Sequence, residues 1–339
     1  MNDTALSVKV QAKLDAHEEH HRITSPHVGL SLFLRHLPPK RPLNRAVIYA
    51  HGGTFPSALS IAHRFDGRSW RDELCDSGFE VWGLDFHGFG GSDPYPEMAD
   101  SAEGCAPLGR VADASRQLEA AVRFVCARHG TQRISVIAHS WGSMVAGHLA
   151  GRCPELIDRL VLFGPITWRC EAKERVRLPA WRLISLKDQW QRFTECVPSN
   201  AAPVLLPRHF DQWGEAYLST DRYARGRSPP AVKVPSGAFQ DIFDAWAGGL
   251  AYDPARVRAP TAIIRGEWDA YCTDADARWL FDALAASTKC DIKVSHGTHL
   301  MHLEAMRHAL YRESISFLSA DCDPPATMKD RVFATGEHR

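Results

Sequence analysis

The sequence predicts an α/β protein: a mostly parallel sheet with helices on both faces, and a mainly helical segment inserted between the strands near 163 and 261. Three observations carry this. Short apolar runs alternate with amphipathic stretches from Leu30 to Phe163, and the alternation returns after Pro260. Several of the runs end directly in glycine-rich turns. Between about Trp168 and Leu250 the alternation stops, giving way to a stretch that holds five tryptophans and many prolines.

Taken in order, residues 1–22 read as a polar N-terminal extension, helical in part, ending in His17-Glu18-Glu19-His20-His21. This satisfies His-Glu-x-x-His, which on a buried helix would present His17 and His21 to zinc with Glu18 as base. Its place near a terminus, beside Thr24-Ser25-Pro26, favours a solvated charged helix end. Leu30–Leu37 alternates as a strand, and Ala46–Ala50 is a more buried strand running straight into His51-Gly52-Gly53. A strand ending in glycines leaves bare backbone at its carboxyl end, where open α/β sheets bind ligands. A glycine turn needed only for geometry would look the same.

Ser69–Gly78 reads as a capped helix, Phe79–Leu84 as a strand, and Asp85-Phe-His-Gly-Phe-Gly-Gly-Ser-Asp93 as a structural loop. The loop meets neither phosphate-binding glycine pattern, since Asp93 stands where the last glycine would be. Val111–His129 is an amphipathic helix closed by Gly130, and Leu160–Phe163 is a strand ended by Gly164-Pro165. Within the insertion, Leu183–Glu195 and Phe239–Trp246 read as helices. An aromatic-rich segment over the sheet edge would form a cap enclosing an apolar substrate, or else a small subdomain with its own core. Pro260–Arg265 is a strand, Asp274–Ala286 a helix and Ile292–Val294 a short strand, followed by Ser295-His296-Gly297-Thr298-His299 and a final helix. The resulting division is a core over 23–165 and 251–320, a cap over 166–250, and a disordered tail over 321–339.

The chain has 339 residues, 45% hydrophobic and 24% charged, enough for a sizeable core. Its 40 basic and 40 acidic side chains cancel, so no net field favours nucleic acid or an anionic membrane. With no signal-like N-terminus and no apolar run of spanning length, the expectation is a cytoplasmic protein without membrane insertion. Nine cysteines without paired spacing read as reduced thiols.

The stretch that organises the chain is Ile134-Ser-Val-Ile-Ala-His-Ser-Trp-Gly-Ser-Met-Val-Ala146. Its period changes from strand to helix at Ser140, with Ala138 and Gly142 flanking the serine where the backbone crowds. Such a turn lifts a serine Oγ clear of the sheet at a helix N-terminus, where free N–H groups stabilise an oxyanion. A small-residue junction with a buried serine matches the same five residues. Ser140, Asp269 and His299 each follow a predicted strand, so one sheet edge can gather all three. Asp274 and Asp276 lie close by in sequence but fall where the next helix starts and suit its N-terminus. His296 and His302 flank His299 as lining or surface residues, the intervening Gly297 arguing against a metal-binding helix face.

With His51-Gly52-Gly53, Asp85-Phe-His-Gly-Phe-Gly-Gly-Ser92, Ala138-His-Ser-Trp-Gly142, Gly266-Glu-Trp-Asp269 and Gly297-Thr-His299 in this order, the sequence resembles the α/β-hydrolase fold family from about Ile23 to Leu318. Ala138 departs from the commoner glycine by one methyl group. The resemblance implies a capped, esterase- or lipase-like serine hydrolase without cofactor or metal. It makes Ser140 the nucleophile, His299 the base, Asp269 its orienter, and Gly53 and Trp141 N–H the oxyanion donors. It also implies that halide or epoxide chemistry would place an aspartate in the elbow, against which Ser140 counts. The expected partner is a moderately apolar small molecule carrying an ester or related acyl bond. The alternatives are an acyltransferase or cyclase of the same fold, and a binding protein that keeps the pocket without turnover.

Overall fold

The computed structural model describes residues 12–170 and 177–320; the expected tail and the first half of the N-terminal extension lie outside the described residues. The first half of the core contains β1 (Glu19–Thr24), β2 (Ser31–Leu37), β3 (Arg45–Ala50), α1 (Trp70–Asp76), β4 (Phe79–Asp85), α2 (Val111–His129), β5 (Ile134–His139), α3 (Trp141–Arg152) and β6 (Ile157–Phe163). The intervening segment contributes β7 (Trp181–Ser185), α4 (Leu186–Thr194), α5 (Pro207–Leu218), β8 (Ala231–Pro235) and α6 (Gly237–Trp246). The core resumes with β9 (Thr261–Gly266), α7 (Asp274–Ala283), β10 (Lys289–Val294) and α8 (Arg307–Ser319).

One eight-stranded sheet runs in the order β1-β2-β4-β3-β5-β6-β9-β10. The pairs β1–β2 and β2–β4 are antiparallel, and the remaining pairs are parallel. Alternation along each strand divides the core in two. Val47, Tyr49 and Ile137 face α1 and α8 through Trp70, Leu74, Leu310 and Tyr311. Ile48, Ala50, Val136 and Ala138 face the opposite way, into a cluster with Leu118, Val122, Met144, Val145 and Leu280. Burial on both faces is what a central parallel strand requires, and it explains the continuous apolar runs of β3, β5 and β6. This is the α/β-hydrolase architecture that the motif order implies.

The structure corrects two expectations. The N-terminal region is not a solvated helix end: β1 begins at Glu19 and pairs with β2 from Glu19↔His36 to Thr24↔Ser31. Glu18 is fully buried and accepts from Arg35 Nη1 at 2.6 Å and from Arg71 Nη1, so His17 and His21 do not share the helix face that zinc binding would need. The second concerns Leu183–Glu195. Leu183 belongs to β7, which forms a separate two-stranded antiparallel ribbon with β8. The helix starts only at Leu186, where Ser185 and Asp188 form a capping box. Leu183, Leu186 and Trp190 keep helical spacing across that boundary, so periodicity runs on where the Ser-x-x-Asp signal stops it.

The inserted segment packs on the loops at the carboxyl ends of the strands. Trp213 Nε1 donates to Leu59 O at 3.0 Å, Trp141 Nε1 donates to Asp241 Oδ2 at 2.9 Å, and Thr167 Oγ1 donates to Asp276 Oδ1 at 2.9 Å.

Candidate active site

Ser140 stands between β5 and α3 with φ 56° and ψ −125°, a conformation costly for a residue bearing a Cβ and held only when its surroundings over-determine it. Here they do. Ser140 N donates to Phe163 O at 2.9 Å, and Ser143 Oγ donates to Ser140 O at 2.5 Å. A Cβ on Gly142 would stand 2.6 Å from the carbonyl oxygens of Ala50 and His51, so α3 can start against the end of β3 only with glycine there. Ala138 is fully buried within the β5 pairings, and the strand accepts its methyl group.

The other two predicted residues converge on this turn. His299 Nε2 lies 2.8 Å from Ser140 Oγ, and His299 Nδ1 lies 3.0 and 3.1 Å from the two Asp269 carboxylate oxygens. Because the carboxylate only accepts, Nδ1 carries the proton and Nε2 is left to accept from the serine hydroxyl. Asp269 Oδ1 also accepts from Tyr271 N at 2.8 Å and Cys272 N at 3.0 Å, which fixes the carboxylate's orientation. The competing acids are occupied at the N-terminus of α7. Asp276 forms a capping box with Thr273 and pairs with Arg169, while Asp274 pairs with Arg265 and Lys293.

Gly164 is a site residue that the sequence marked only as a strand end. A Cβ there would sit 2.9 Å from Asp269 Oδ2 and 3.0 Å from His299 Nδ1, so its absence makes room for the acid–imidazole pair. Two buried groups hold the loop carrying His299. His139 Nε2 donates to His299 O at 2.9 Å, its ring stacked on Phe163; burial, with His302 and His299 nearby, holds it well below the usual histidine range. His302 is itself fully buried beside His139 and Phe163, not at the surface, whereas His296 is exposed against Trp268.

Glu304 accepts from Thr298 N at 3.2 Å and contacts Thr298 Oγ1 at 2.5 Å, and burial pushes its carboxyl up to about 8. A carboxyl raised on folding contributes stability that is fully present below its ordinary value of 4.5 and is lost as pH rises through about 8. Between pH 5 and 9, wild-type unfolding free energy should therefore fall by on the order of 4 kcal/mol more than that of Glu304→Gln, which keeps the shape without the proton. Urea titrations at each pH read this; parallel slopes would contradict it.

The two oxyanion candidates differ in how they are aimed. Trp141 is the first residue of α3, so its N–H has no intrahelical partner. For Gly53, His51 provides the aim: Phe86 N donates to His51 Nε2 at 3.1 Å, leaving Nδ1–H to donate to Gly52 O at 2.7 Å. The trans peptide then turns the Gly53 N–H the opposite way. A Cβ on Gly52 would lie 3.3 Å from Ser140 Cβ, and one on Gly53 would lie 2.7 Å from Ala238 Cβ on α6.

Asp241, also on α6 and 2% exposed, accepts from Trp141 Nε1, from Val111 N at 2.8 Å and from Arg110. Burial raises its pKa while Arg110 opposes the rise. Asp241→Ala would leave Trp141 Nε1 and Val111 N unpaired, Arg110 keeping its pair with Asp244, at a cost of about 3 kcal/mol. A guanidinium chloride titration should register that loss, and an unchanged midpoint would sink this role for Asp241.

Tyr271 stacks on the His299 ring at 4.5 Å. Ser140, Asp269 and His299 are 2%, 4% and 4% exposed, so the centre is closed. An open cleft of about 390 Å³ along Ala201, Val204, Trp268, His296 and Met306 contains none of the three. Amides of the glycine loop after β4 are already engaged: Gly91 N donates to Asp85 Oδ2 at 3.0 Å, His87 N to Gln117 Oε1 at 2.9 Å, and Gly88 N to Asp93 O at 3.3 Å. Metal-capable side chains do gather at the antiparallel side of the sheet, as Glu19–His21–His36 and His36–Glu80–His129. There they hydrogen-bond to one another, His36 Nε2 lying 2.8 Å from Glu80 Oε2.

Fold and site together define an α/β-hydrolase. The family model described as serine aminopeptidase, S33, matches residues 46–306, and the chain belongs to that family. Solved structures with the same fold include a serine hydrolase from the polyaromatic-hydrocarbon-degrading bacterium Cycloclasticus zankles (15% identity, 88% of this chain and 97% of that one, TM-score 0.57). Potato (Solanum tuberosum) epoxide hydrolase I is similar at 15% identity, over 89% and 99% of the two chains, with TM-score 0.58. A thermophilic esterase from Thermogutta terrifontis is similar at 16% identity, over 89% and 100%, with TM-score 0.55. No curated protein matches the sequence. Hydrolytic activity follows from the family; the bond does not, because this one fold carries all these activities.

Proposed function

We propose that the chain is a serine hydrolase that cleaves a carboxylic ester, or a related acyl bond, of a moderately apolar small molecule through an acyl-enzyme. The observation that carries the reading is the relay Asp269–His299–Ser140, with contacts of 3.0 and 2.8 Å ending at a serine on a strained turn. His299 Nε2 takes the hydroxyl proton as Oγ attacks the carbonyl, and returns it to the leaving alkoxide. Asp269 keeps the imidazole in the tautomer that can do this and stabilises its cation. The N–H groups of Gly53 and Trp141 receive the oxyanion, each worth about 3 kcal/mol in the transition state. In the second half, His299 deprotonates a water that attacks the acyl-enzyme, and Ser140 leaves with the proton. The segment 166–250 acts as the cap, and since the nucleophile is buried, it must move to admit substrate.

Epoxide opening is disfavoured because an aspartate would be needed where Ser140 stands. A panel of acyl esters graded by chain length and ring content, run with and without added alcohols, tests the proposal. Burst release of the leaving group followed by hydrolysis supports it. Accumulation of the transesterified product in preference to the acid would mark an acyltransferase, and binding without release from any ester would mark a receptor.

A further inference from the structure

Among the described residues, every arginine that is wholly or partly buried has a carboxylate or carbonyl partner, with two exceptions. Arg35, Arg64, Arg71, Arg110, Arg227 and Arg265 illustrate the rule. The exceptions, Arg182 on β7 and Arg192 on α4, lie together. Arg182 stands 4.4 Å over the Phe239 ring, and Arg192 stands 5.9 Å from the same ring and 5.7 Å from that of Tyr271. Arg192 Nε is buried without an acceptor. Gln189, one turn earlier on the same helix, is fully buried with neither side-chain polar atom in a well-formed hydrogen bond, its near polar neighbour being the Tyr217 hydroxyl, which donates to Ile184 O. The nearby acids are committed or outside: Asp188 caps α4 and acts on Arg182 only at longer range, and Glu195 is exposed.

The position of Arg192 follows from its neighbours. Tyr271 stacks on the His299 ring. Phe239 follows Ala238, which abuts Gly53. His139, whose pKa the Arg192 charge helps to depress, directly precedes Ser140. The guanidinium is thus bracketed by the base side of the relay and the oxyanion side, against aromatic rings. Partly burying a charge without an anion is costly, and rings alone return only about 0.5–2 kcal/mol. An arrangement of this kind pays when the ligand brings the counter-charge, for which a guanidinium fork fits a carboxylate.

We propose that Arg192, assisted by Arg182 and Gln189, binds a carboxylate of the substrate, which is an acyl compound bearing an anionic end removed from the scissile bond. This rests on the serine-hydrolase reading and narrows its substrate class: an apolar body, a carboxylate anchored under the cap, and an acyl carbon delivered to Ser140.

The test compares 4-nitrophenyl hydrogen glutarate with its methyl ester, which removes the charge and adds one methyl group. Wild type should favour the free acid at least tenfold in kcat/KM. In Arg192→Gln that ratio should fall to near one, and Arg192→Lys should restore part of it. Glutarate should also inhibit wild type at least tenfold better than methyl pentanoate, a readout that survives if the variants fold poorly. A wild-type ratio at or below one, or a ratio unchanged in Arg192→Gln, overturns the proposal. Intact-mass detection of a fluorophosphonate adduct separates the two levels. An adduct on Ser140 without carboxylate preference sinks only the carboxylate site, whereas no adduct on Ser140 sinks the hydrolase reading and this proposal with it.

Discussion

Ser140→Ala should lower kcat for any ester the protein turns over by about four to six orders of magnitude, with little effect on stability. Oγ is the only atom of the elbow both within 2.8 Å of the imidazole and set at a helix start, and removing it leaves base and oxyanion donors with nothing to activate. The cost should be non-additive: adding His299→Ala to Ser140→Ala should lower the rate little further, because the pair acts as one unit. Asp269→Asn should cost about four orders of magnitude by offering His299 Nδ1 a donor and so favouring the wrong tautomer. Asp274→Asn and Asp276→Asn, whose carboxylates serve the start of α7, should lack so large a kinetic effect. Single-turnover kinetics with a chromogenic ester distinguish these outcomes, and a Ser140→Ala rate within tenfold of wild type would refute the assignment.

The second large effect concerns stability. Glu18→Ala should destabilise the fold by about 3–5 kcal/mol, because it takes the paired carboxylate from two guanidiniums that are each 1% exposed, leaving Arg71 without that ion pair and Arg35 with only the longer-range charge of Asp85. Burial alone would raise the Glu18 pKa; the two arginines outweigh it and hold the carboxyl below its usual range. A carboxylate depressed on folding contributes stability above the ordinary value of 4.5 and loses it as pH falls through the lowered one. Wild type should therefore lose stability on acidification below pH 4.5 more steeply than Glu18→Gln does. The effect should fall on the edge of the sheet first, since Glu18 ties the start of β1 to β2 and α1. Hydrogen exchange should show β1 amides opening in the variant, and unchanged protection there would contradict the role.

What the sequence could and could not reveal divides along physical lines. The elbow was legible because steric crowding leaves a local signature: Gly142 is glycine since two carbonyl oxygens fill the space of its Cβ. The order of Ser140, Asp269 and His299 was legible because each ends a strand run, and the ends of parallel strands share one edge. The roles of Gly164, His51 and Asp241 were not, for each acts on a partner remote in sequence, and that of Glu304 was not because its burial is set by the tertiary fold. Nothing near Gly164 announces that Asp269 and His299 will pass over it, and Gly-Pro after a strand has the simpler meaning of a stop. Glu18 misled because charge suggests solvent, and only the fold brings Arg35 and Arg71 to it. In the insertion, aromatic content pointed to enclosure, while the unpaired Arg192 emerged only once its surroundings were known.

The most direct test of the account is covalent. Incubating the folded protein with an alkyl fluorophosphonate, then mapping the adduct by peptide mass spectrometry, should place one phosphonyl group on Ser140. Labelling should be lost in Ser140→Ala and slowed by at least a hundredfold in His299→Ala. Folded protein that stays unlabelled, or that is labelled at another serine with Ser140 intact, would contradict the claim that Asp269, His299 and Ser140 act as a single nucleophilic relay.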